Sequence, residues 1–124
     1  VILGERYGYG YGASGTSGYD YPTGGAGMVF SLPAVRALVA GCACPSEDSP
    51  DDMIIGMCAR RLGIPIVHVA GMHQGRSIDY ARPFLRRVLP VSLHKHHDID
   101  PYADYAAILR EETDGTGWRV HSEL

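Results

Sequence analysis

The chain has 124 residues, a hydrophobic share of 45% and a formal charge of −3, with 11 Lys and Arg set against 14 Asp and Glu. That length and composition suit one folded domain with a real core. The basic residues are scattered, so the electrostatic footprint that holds a phosphate backbone is missing and nucleic acid is excluded as a partner; no apolar run reaches bilayer-spanning length either, and nothing resembles a signal peptide.

The apolar run Val1-Ile2-Leu3 enters without a cap or leader and reads as a cut through an element. The chain is therefore expected to be a fragment, with any membrane anchor upstream of Val1. Tyr7-Gly8-Tyr9-Gly10-Tyr11-Gly12, continuing to Gly18-Tyr19-Asp20-Tyr21, alternates aromatic residues with glycine and reads as a surface loop. A low-complexity linker is the plainer interpretation, but so many tyrosines suit a sugar, whose C–H face stacks on aromatic rings. Thr23-Gly24-Gly25-Ala26-Gly27 then permits close approach of backbone to a ligand. Met28-Val29-Phe30-Ser31 reads as a short buried strand or the start of a helix.

Ser31 as N-cap and Pro33 early in the helix predict a helix over 32–40, with Val35, Leu38 and Val39 on one face. After a loop rich in Cys, Pro, Ser and acid, Asp51-Asp52 opens a second helix in which Met53, Ile54, Met57, Cys58 and Leu62 recur at helical spacing, and Gly63 closes it. Residues 64–69, apolar and β-branched, predict a strand. A further strand is expected over 90–93, ending at His94-Lys95-His96-His97, and a helix over 102–110. Alternating helices and apolar strands indicate the α/β class.

Three cysteines, Cys42, Cys44 and Cys58, do not form the paired Cys-x-x-Cys knuckles of a structural zinc site. A disulfide and free thiols both remain open. His121-Ser122-Glu123-Leu124 resembles the Lys/His-Asp-Glu-Leu retrieval signal of the endoplasmic reticulum, and that lumen is oxidising enough for disulfides.

Paired carboxylates at a helix start have a structural explanation, since they satisfy exposed N–H groups and favour the positive end of the helix dipole. The functional alternative is that one aspartate, kept ionised there, accepts a proton from an attacking hydroxyl. Among the six histidines, His94 stands out because it ends an apolar strand, from which an imidazole can reach a divalent metal. Asp98-Ile99-Asp100 has the spacing of a metal-binding Asp-x-Asp motif, yet Pro101 and a helix follow, so Asp100 is expected to cap that helix.

Taken in order, Gly18-Tyr19-Asp20-Tyr21-Pro22-Thr23-Gly24-Gly25-Ala26-Gly27-Met28-Val29-Phe30-Ser31, then the stretch from Cys44 through Pro50-Asp51-Asp52-Met53-Ile54-Ile55-Gly56-Met57-Cys58, then His73-Gln74 and Ser92-Leu93-His94-Lys95-His96, resemble the fringe-like β1,3-glycosyltransferases. The pattern is nearest to members that add glucose to O-linked fucose on thrombospondin type 1 repeats. The resemblance implies that residues 1–120 are the C-terminal part of a GT-A, Rossmann-like catalytic domain, followed by a retrieval-like tail at 121–124. It implies a UDP-sugar donor, UDP-glucose, a Mn²⁺ cofactor, an O-fucosylated glycoprotein acceptor and an endoplasmic reticulum location.

Carried over position by position, the resemblance makes Asp52 the base, with Asp51 capping or orienting it. Gly24, Gly25 and Gly27, with Tyr21, would line the donor and acceptor site. His94 would complete the metal shell, with His73 as second choice, and Cys44 and Cys58 would be bridged. The family's Asp-x-Asp motif is not in this chain and is expected before Val1, so the fragment alone should be inactive. Pro22, the Ala13-Ser14-Gly15-Thr16-Ser17 stretch and His97-Asp98 depart from the family pattern. The competing reading is a lumenal carbohydrate-binding module that uses the tyrosine and glycine segment without chemistry. A hydrolase is disfavoured because adjacent Asp51 and Asp52 cannot flank a glycosidic bond.

Overall fold

The computed structural model describes residues 1–110 apart from residues 14 and 16, so the tail at 121–124 lies outside the described residues. Strand β1 (Ile2–Gly4) is the centre of a three-stranded sheet. It pairs antiparallel with β4 (Met28–Phe30) and parallel with β5 (Ile66–His68), so that Ile2 lies between Phe30 and Ile66. A parallel pair needs a long crossover, and here α1 (Leu32–Gly41) and α2 (Asp51–Leu62) supply it. Ile2, Ala34 and Ala59 are buried together, with Phe30, Leu38, Ile55, Ile64 and Ile66 packed around them. The two alanines let both helices lie close to the sheet. The α/β class expected from the sequence is what the described residues form.

Helix α1 runs one residue past the expected end. Ser31 has the extended backbone of an N-cap, but its side chain makes no capping bond. The expected apolar face also shifts: Ala34 and Leu38, one turn apart, point inward, while Val39 is 81% exposed. Helix α2 behaves as its sequence predicts. Both acids sit in its first turn and Arg60 and Arg61 in its last, each matched to the helix dipole. Gly63 closes it in the left-handed region at φ 67°, its N–H reaching back to Ala59 and Arg60.

The tyrosine and glycine segment is not simply a loop. β2 (Arg6–Tyr9) and β3 (Tyr19–Pro22) form an antiparallel ribbon with Tyr7 opposite Tyr21 and Tyr9 opposite Tyr19. Alternation with period two is the strand signal, and glycine at the intervening positions masked it. Helix α2 lies along β3. A Cβ on Gly56 would sit 2.4 Å from Cβ of Tyr21 and 2.7 Å from the Asp20 carbonyl oxygen, so only glycine allows this approach. The Arg60 guanidinium donates to the carbonyls of Ser17 and Gly18 at 2.9 and 2.5 Å, fixing the far end.

The strand expected over 90–93 reduces to a single parallel bridge, Met72 with Ser92. Pro90 has no N–H, and the amides of both Val91 and Ser92 turn to one acceptor, the Gly71 carbonyl, so no regular ladder develops. The two segments still run side by side, because the His73 amide donates to Ser92 and the His94 amide to Gly75. A 3-10 turn (Ser77–Asp79) and α3 (Arg82–Arg87) lie between them in sequence, and α4 (Pro101–Arg110) follows.

The disulfide joins Cys42 to Cys58, which corrects the expected pairing of Cys44 with Cys58. Cys42 caps the C-terminus of α1 and lies 5.4 Å, Cα to Cα, from Cys58 on the adjoining α2. Cys44 has already left that helix pair. Its thiol is exposed and donates to the Ser46 carbonyl at 2.8 Å. No helix among the described residues is long and apolar enough to cross a membrane.

Candidate functional site

Three pieces distant in sequence meet at the turn between β3 and β4. The turn itself, Gly24 to Gly27, closes through a bond from the Gly27 amide to the Gly24 carbonyl at 3.0 Å, with Gly27 at φ 85°. Against one side lies the start of α2. Pro50 occupies the N-cap and offers no side-chain acceptor, so the aspartates take up first-turn amides: Asp51 Oδ1 accepts from Asp52, and Asp52 Oδ1 from Met53, both at 2.8 Å. The second oxygen of Asp52 reaches outward and accepts the Gly24 amide at 3.1 Å. Asp52 is half-buried and Asp51 exposed. Capping and function therefore do not exclude each other, because one oxygen serves the helix and the other faces the turn.

Against the other side lies His94. A Cβ on Gly25 would fall 2.2 Å from its Nδ1, so the ring occupies the space a side chain there would need. The same nitrogen is 3.1 Å from the Gln74 carbonyl oxygen. A carbonyl only accepts, so this contact sets the tautomer with the proton on Nδ1 and leaves Nε2 with a bare lone pair. Asp52, Gly24, Gly25 and His94 thus form one continuous surface. Gly27 takes part through the turn, and Tyr21 borders it from β3, its ring edge-on to Tyr7 at 6.2 Å.

His73 lies apart from that surface in an aromatic cluster, its ring 4.6 Å from that of Tyr80 and 5.7 Å from that of Phe84. It is 2% exposed and its Nε2 has no partner. Burial pushes its pKa below the usual imidazole value, against the opposing pull of the Glu5 carboxylate. Asp100 does what its place before a helix suggests: its carboxylate accepts the amides of Tyr102 and Ala103 at the start of α4. Among the described residues no group of three or more His, Cys, Asp and Glu side chains could hold a metal ion by itself.

Sequence reasoning missed the residues that brace this arrangement. Gln74 uses three of its groups: its side-chain oxygen accepts the Ala26 amide at 3.1 Å, its carbonyl faces His94, and its own amide donates to the Glu5 carboxylate. Ser92 donates to the Ala26 carbonyl at 2.6 Å. The Glu5 carbonyl accepts the Thr23 amide at 2.9 Å. Ala26 is thereby held at both its amide and its carbonyl, and the turn is fixed by partners far away in sequence. A lone Glu5 at the end of a strand carries no local pattern that announces this.

A family model described as Fringe-like matches residues 1–120. The chain belongs to the Fringe-like family. This Fringe-like chain is 54% identical over 110 residues to a protein of Mus musculus named beta-1,3-glucosyltransferase, covering 88% of the chain and 22% of that relative. It is 55% identical over 106 residues to the Homo sapiens protein of the same name, covering 85% of the chain and 21% of the relative. The chain therefore spans about a fifth of the length of these curated relatives. No solved structure matches it.

Proposed function

We propose that this chain carries the base and the glycine turn of an inverting β1,3-glycosyltransferase of the GT-A type, which moves glucose from UDP-glucose to a fucose hydroxyl on a glycoprotein such as a thrombospondin type 1 repeat. The observation that carries this reading is the bond from the Gly24 amide to Asp52, with His94 seated on the adjoining Gly25. It brings a carboxylate, an open backbone turn and an imidazole onto one surface, as direct displacement requires. Asp52 removes the proton from the acceptor hydroxyl; that oxygen bonds to the anomeric carbon; the bond from that carbon to the diphosphate oxygen breaks, and UDP leaves with the electron pair. Attack from the opposite face turns an α-linked donor into a β-linked product.

The Gly24 amide holds the carboxylate in place, and exposed Gly24 leaves room beside it for the acceptor. Asp51 has a supporting part, since it accepts the Asp52 amide and so braces the first turn. Fringe-like membership implies a divalent cation, Mn²⁺, and His94 fits one position in its shell because Nε2 is the nitrogen left bare by the Gln74 contact. The remaining ligands would come from outside the described residues. A bound cation offsets the charge that collects on the departing diphosphate. The Cys42–Cys58 bridge suits an oxidising compartment such as the lumen of the endoplasmic reticulum.

The test is Asp52→Asn in the intact protein. Turnover of UDP-glucose onto an O-fucosylated repeat should fall by roughly two to four orders of magnitude, while UDP and Mn²⁺ binding measured by calorimetry stay as they were. Turnover near that of the unsubstituted protein removes Asp52 from the role. Absence of UDP binding in the unsubstituted protein removes the transferase reading itself.

A further inference from the structure

We infer that Glu5 and Tyr80 are positioning residues for His94, acting on its ring through the peptide group that joins Gln74 to Gly75; the use made of that ring rests on the transferase reading above. The groups stand in line. The Glu5 carboxylate faces the Tyr80 hydroxyl, whose O–H is shared between the two carboxylate oxygens at 3.5 Å each. The Tyr80 oxygen accepts the Gly75 amide at 2.9 Å. That N–H belongs to the same peptide group as the Gln74 carbonyl, and the carbonyl oxygen lies 3.1 Å from Nδ1 of His94.

Every bond in this line polarises the next in the same direction. The carboxylate draws the phenol proton, which makes the phenol oxygen a better acceptor for the Gly75 amide. Pulling on that N–H shifts electron density across the peptide to the Gln74 carbonyl oxygen. The carbonyl then takes the Nδ1 proton more firmly, and Nε2 gains density for a cation. Burial pushes the Tyr80 phenol pKa up, with the Glu5 carboxylate adding to the effect, so the hydroxyl keeps the proton it must donate.

The surroundings fix each member. A Cβ on Gly75 would fall 2.9 Å from Cε2 of Tyr80, so glycine lets the ring come this close. Arg76 holds Asp79 by two bonds, at 2.9 and 3.1 Å, and so closes the 3-10 turn that returns Tyr80 to Gly75. The Tyr80 ring lies between those of His73 and Phe84, at 4.6 and 6.1 Å. At the far end the His94 amide donates to the Gly75 carbonyl at 3.0 Å. Glu5 itself is 8% exposed, and its carboxylate also accepts the Gln74 amide. A buried carboxylate costs more than the corresponding amide, yet glutamine would offer an acceptor oxygen to the same donors. What the carboxylate alone adds is charge, and the line of bonds carries its effect to His94.

Two conservative variants of the intact protein test this. Tyr80→Phe keeps the ring and deletes the hydroxyl; Glu5→Gln keeps an acceptor and deletes the charge. The first measurement needs no metal: with ¹⁵N-labelled histidine, the ring nitrogen shifts of His94 report the ratio of its Nδ1–H to its Nε2–H form. That ratio should fall about twofold or more in each variant, as expected of a bond strengthened by its neighbours. An unchanged ratio in both overturns the inference. A change in Tyr80→Phe alone also overturns it, because the hydroxyl would then serve only as a local acceptor with no charge behind it. The second measurement is calorimetric titration with Mn²⁺ in the presence of UDP. Each variant should bind about tenfold more weakly, and the difference should vanish when His94→Ala is added. A loss of the same size in the His94→Ala background would mean that Glu5 and Tyr80 act elsewhere. If His94→Ala by itself leaves Mn²⁺ affinity unchanged, the metal role in the proposed function fails, while the nitrogen shifts still decide whether Glu5 and Tyr80 set the ring.

Discussion

The Gly24 amide and the Asp52 carboxylate, 28 residues apart and 3.1 Å from each other, lock the glycine turn to the first turn of α2. That link depends on how closely α2 lies against β3, and Gly56 sets the spacing. The atoms a Cβ would meet there include backbone at 2.7 Å, which cannot move aside as a flexible side chain would. Gly56→Ala should therefore push α2 away from β3, costing about 1–3 kcal/mol by overpacking. In the intact protein it should also lower kcat, because the Asp52 oxygen loses its alignment. Thermal unfolding and steady-state kinetics on the same preparation check this, and an unchanged melting temperature sinks the spacing argument.

Gly25 and Gly24 make a matched pair for the imidazole. At Gly25 a Cβ would overlap the His94 ring, whereas at Gly24 the nearest atom is Asp52 Oδ2 at an ordinary 3.7 Å. Gly25→Ala should expel the ring from its contact with the Gln74 carbonyl and weaken Mn²⁺ binding by the intact protein by about 10–100-fold. Gly24→Ala should leave that affinity nearly unchanged. Calorimetric titration with Mn²⁺ in the presence of UDP distinguishes the two, and equal losses would mean that His94 is not what Gly25 makes room for.

How far the sequence led depends on the range of the interaction. Helix α2 was legible in full, because Asp51-Asp52, the apolar period and Gly63 all lie within one short stretch and each acts locally. The ribbon was half legible: its tyrosines pointed to the surface, but glycine at alternate positions hid the strand. The brace was not legible. Gln74 reaches Glu5 across 69 residues and Ala26 across 48, and no local periodicity encodes such contacts. The pairing of Cys44 with Cys58 was implied by the family resemblance and not by the residues themselves, and it is the end of α1 that sets Cys42 against α2 instead.

That brace has a consequence for activity. Gln74→Ala removes the acceptor for the Ala26 amide while leaving the carbonyl that faces His94. Loss of one such bond costs about 1 kcal/mol, or more where the amide stays buried without a partner. The turn should loosen, lowering kcat of the intact protein more than it raises the UDP-glucose KM. Gln74→Glu keeps an acceptor oxygen and should retain most of kcat. If both substitutions act alike, the side-chain oxygen is not what holds the turn.

The disulfide yields a mapping experiment. Digestion under non-reducing conditions, after alkylation of free thiols, should recover Cys42 linked to Cys58 and Cys44 alkylated. The bridge closes a loop of sequence separation 16, for which chain entropy predicts a stabilisation of about 3 kcal/mol. Cys42→Ser should destabilise by that order and Cys44→Ser by little, because its thiol is exposed and bonds only within its loop. A recovered Cys44–Cys58 peptide would overturn the pairing.

Buried His73 should make the segment that braces the site sensitive to acid. Its native pKa lies below the ordinary imidazole value of about 6.5, with desolvation the leading cause. In the window between the two values the unfolded chain binds more protons than the native one, so stability falls as pH drops. The contribution is fully present above about pH 6.5, is lost progressively below it, and levels off once pH passes the depressed native value. Hydrogen exchange of the amides at 72–74, read by mass spectrometry on the intact protein, should therefore lose protection on acidification through this window, the observed rate slowing less than base-catalysed intrinsic exchange does. His73→Phe places another aromatic ring beside Tyr80 and Phe84 with no group to titrate, and it should flatten the response. Should that variant open with the same pH dependence, the proton is taken up elsewhere and His73 is not the sensor.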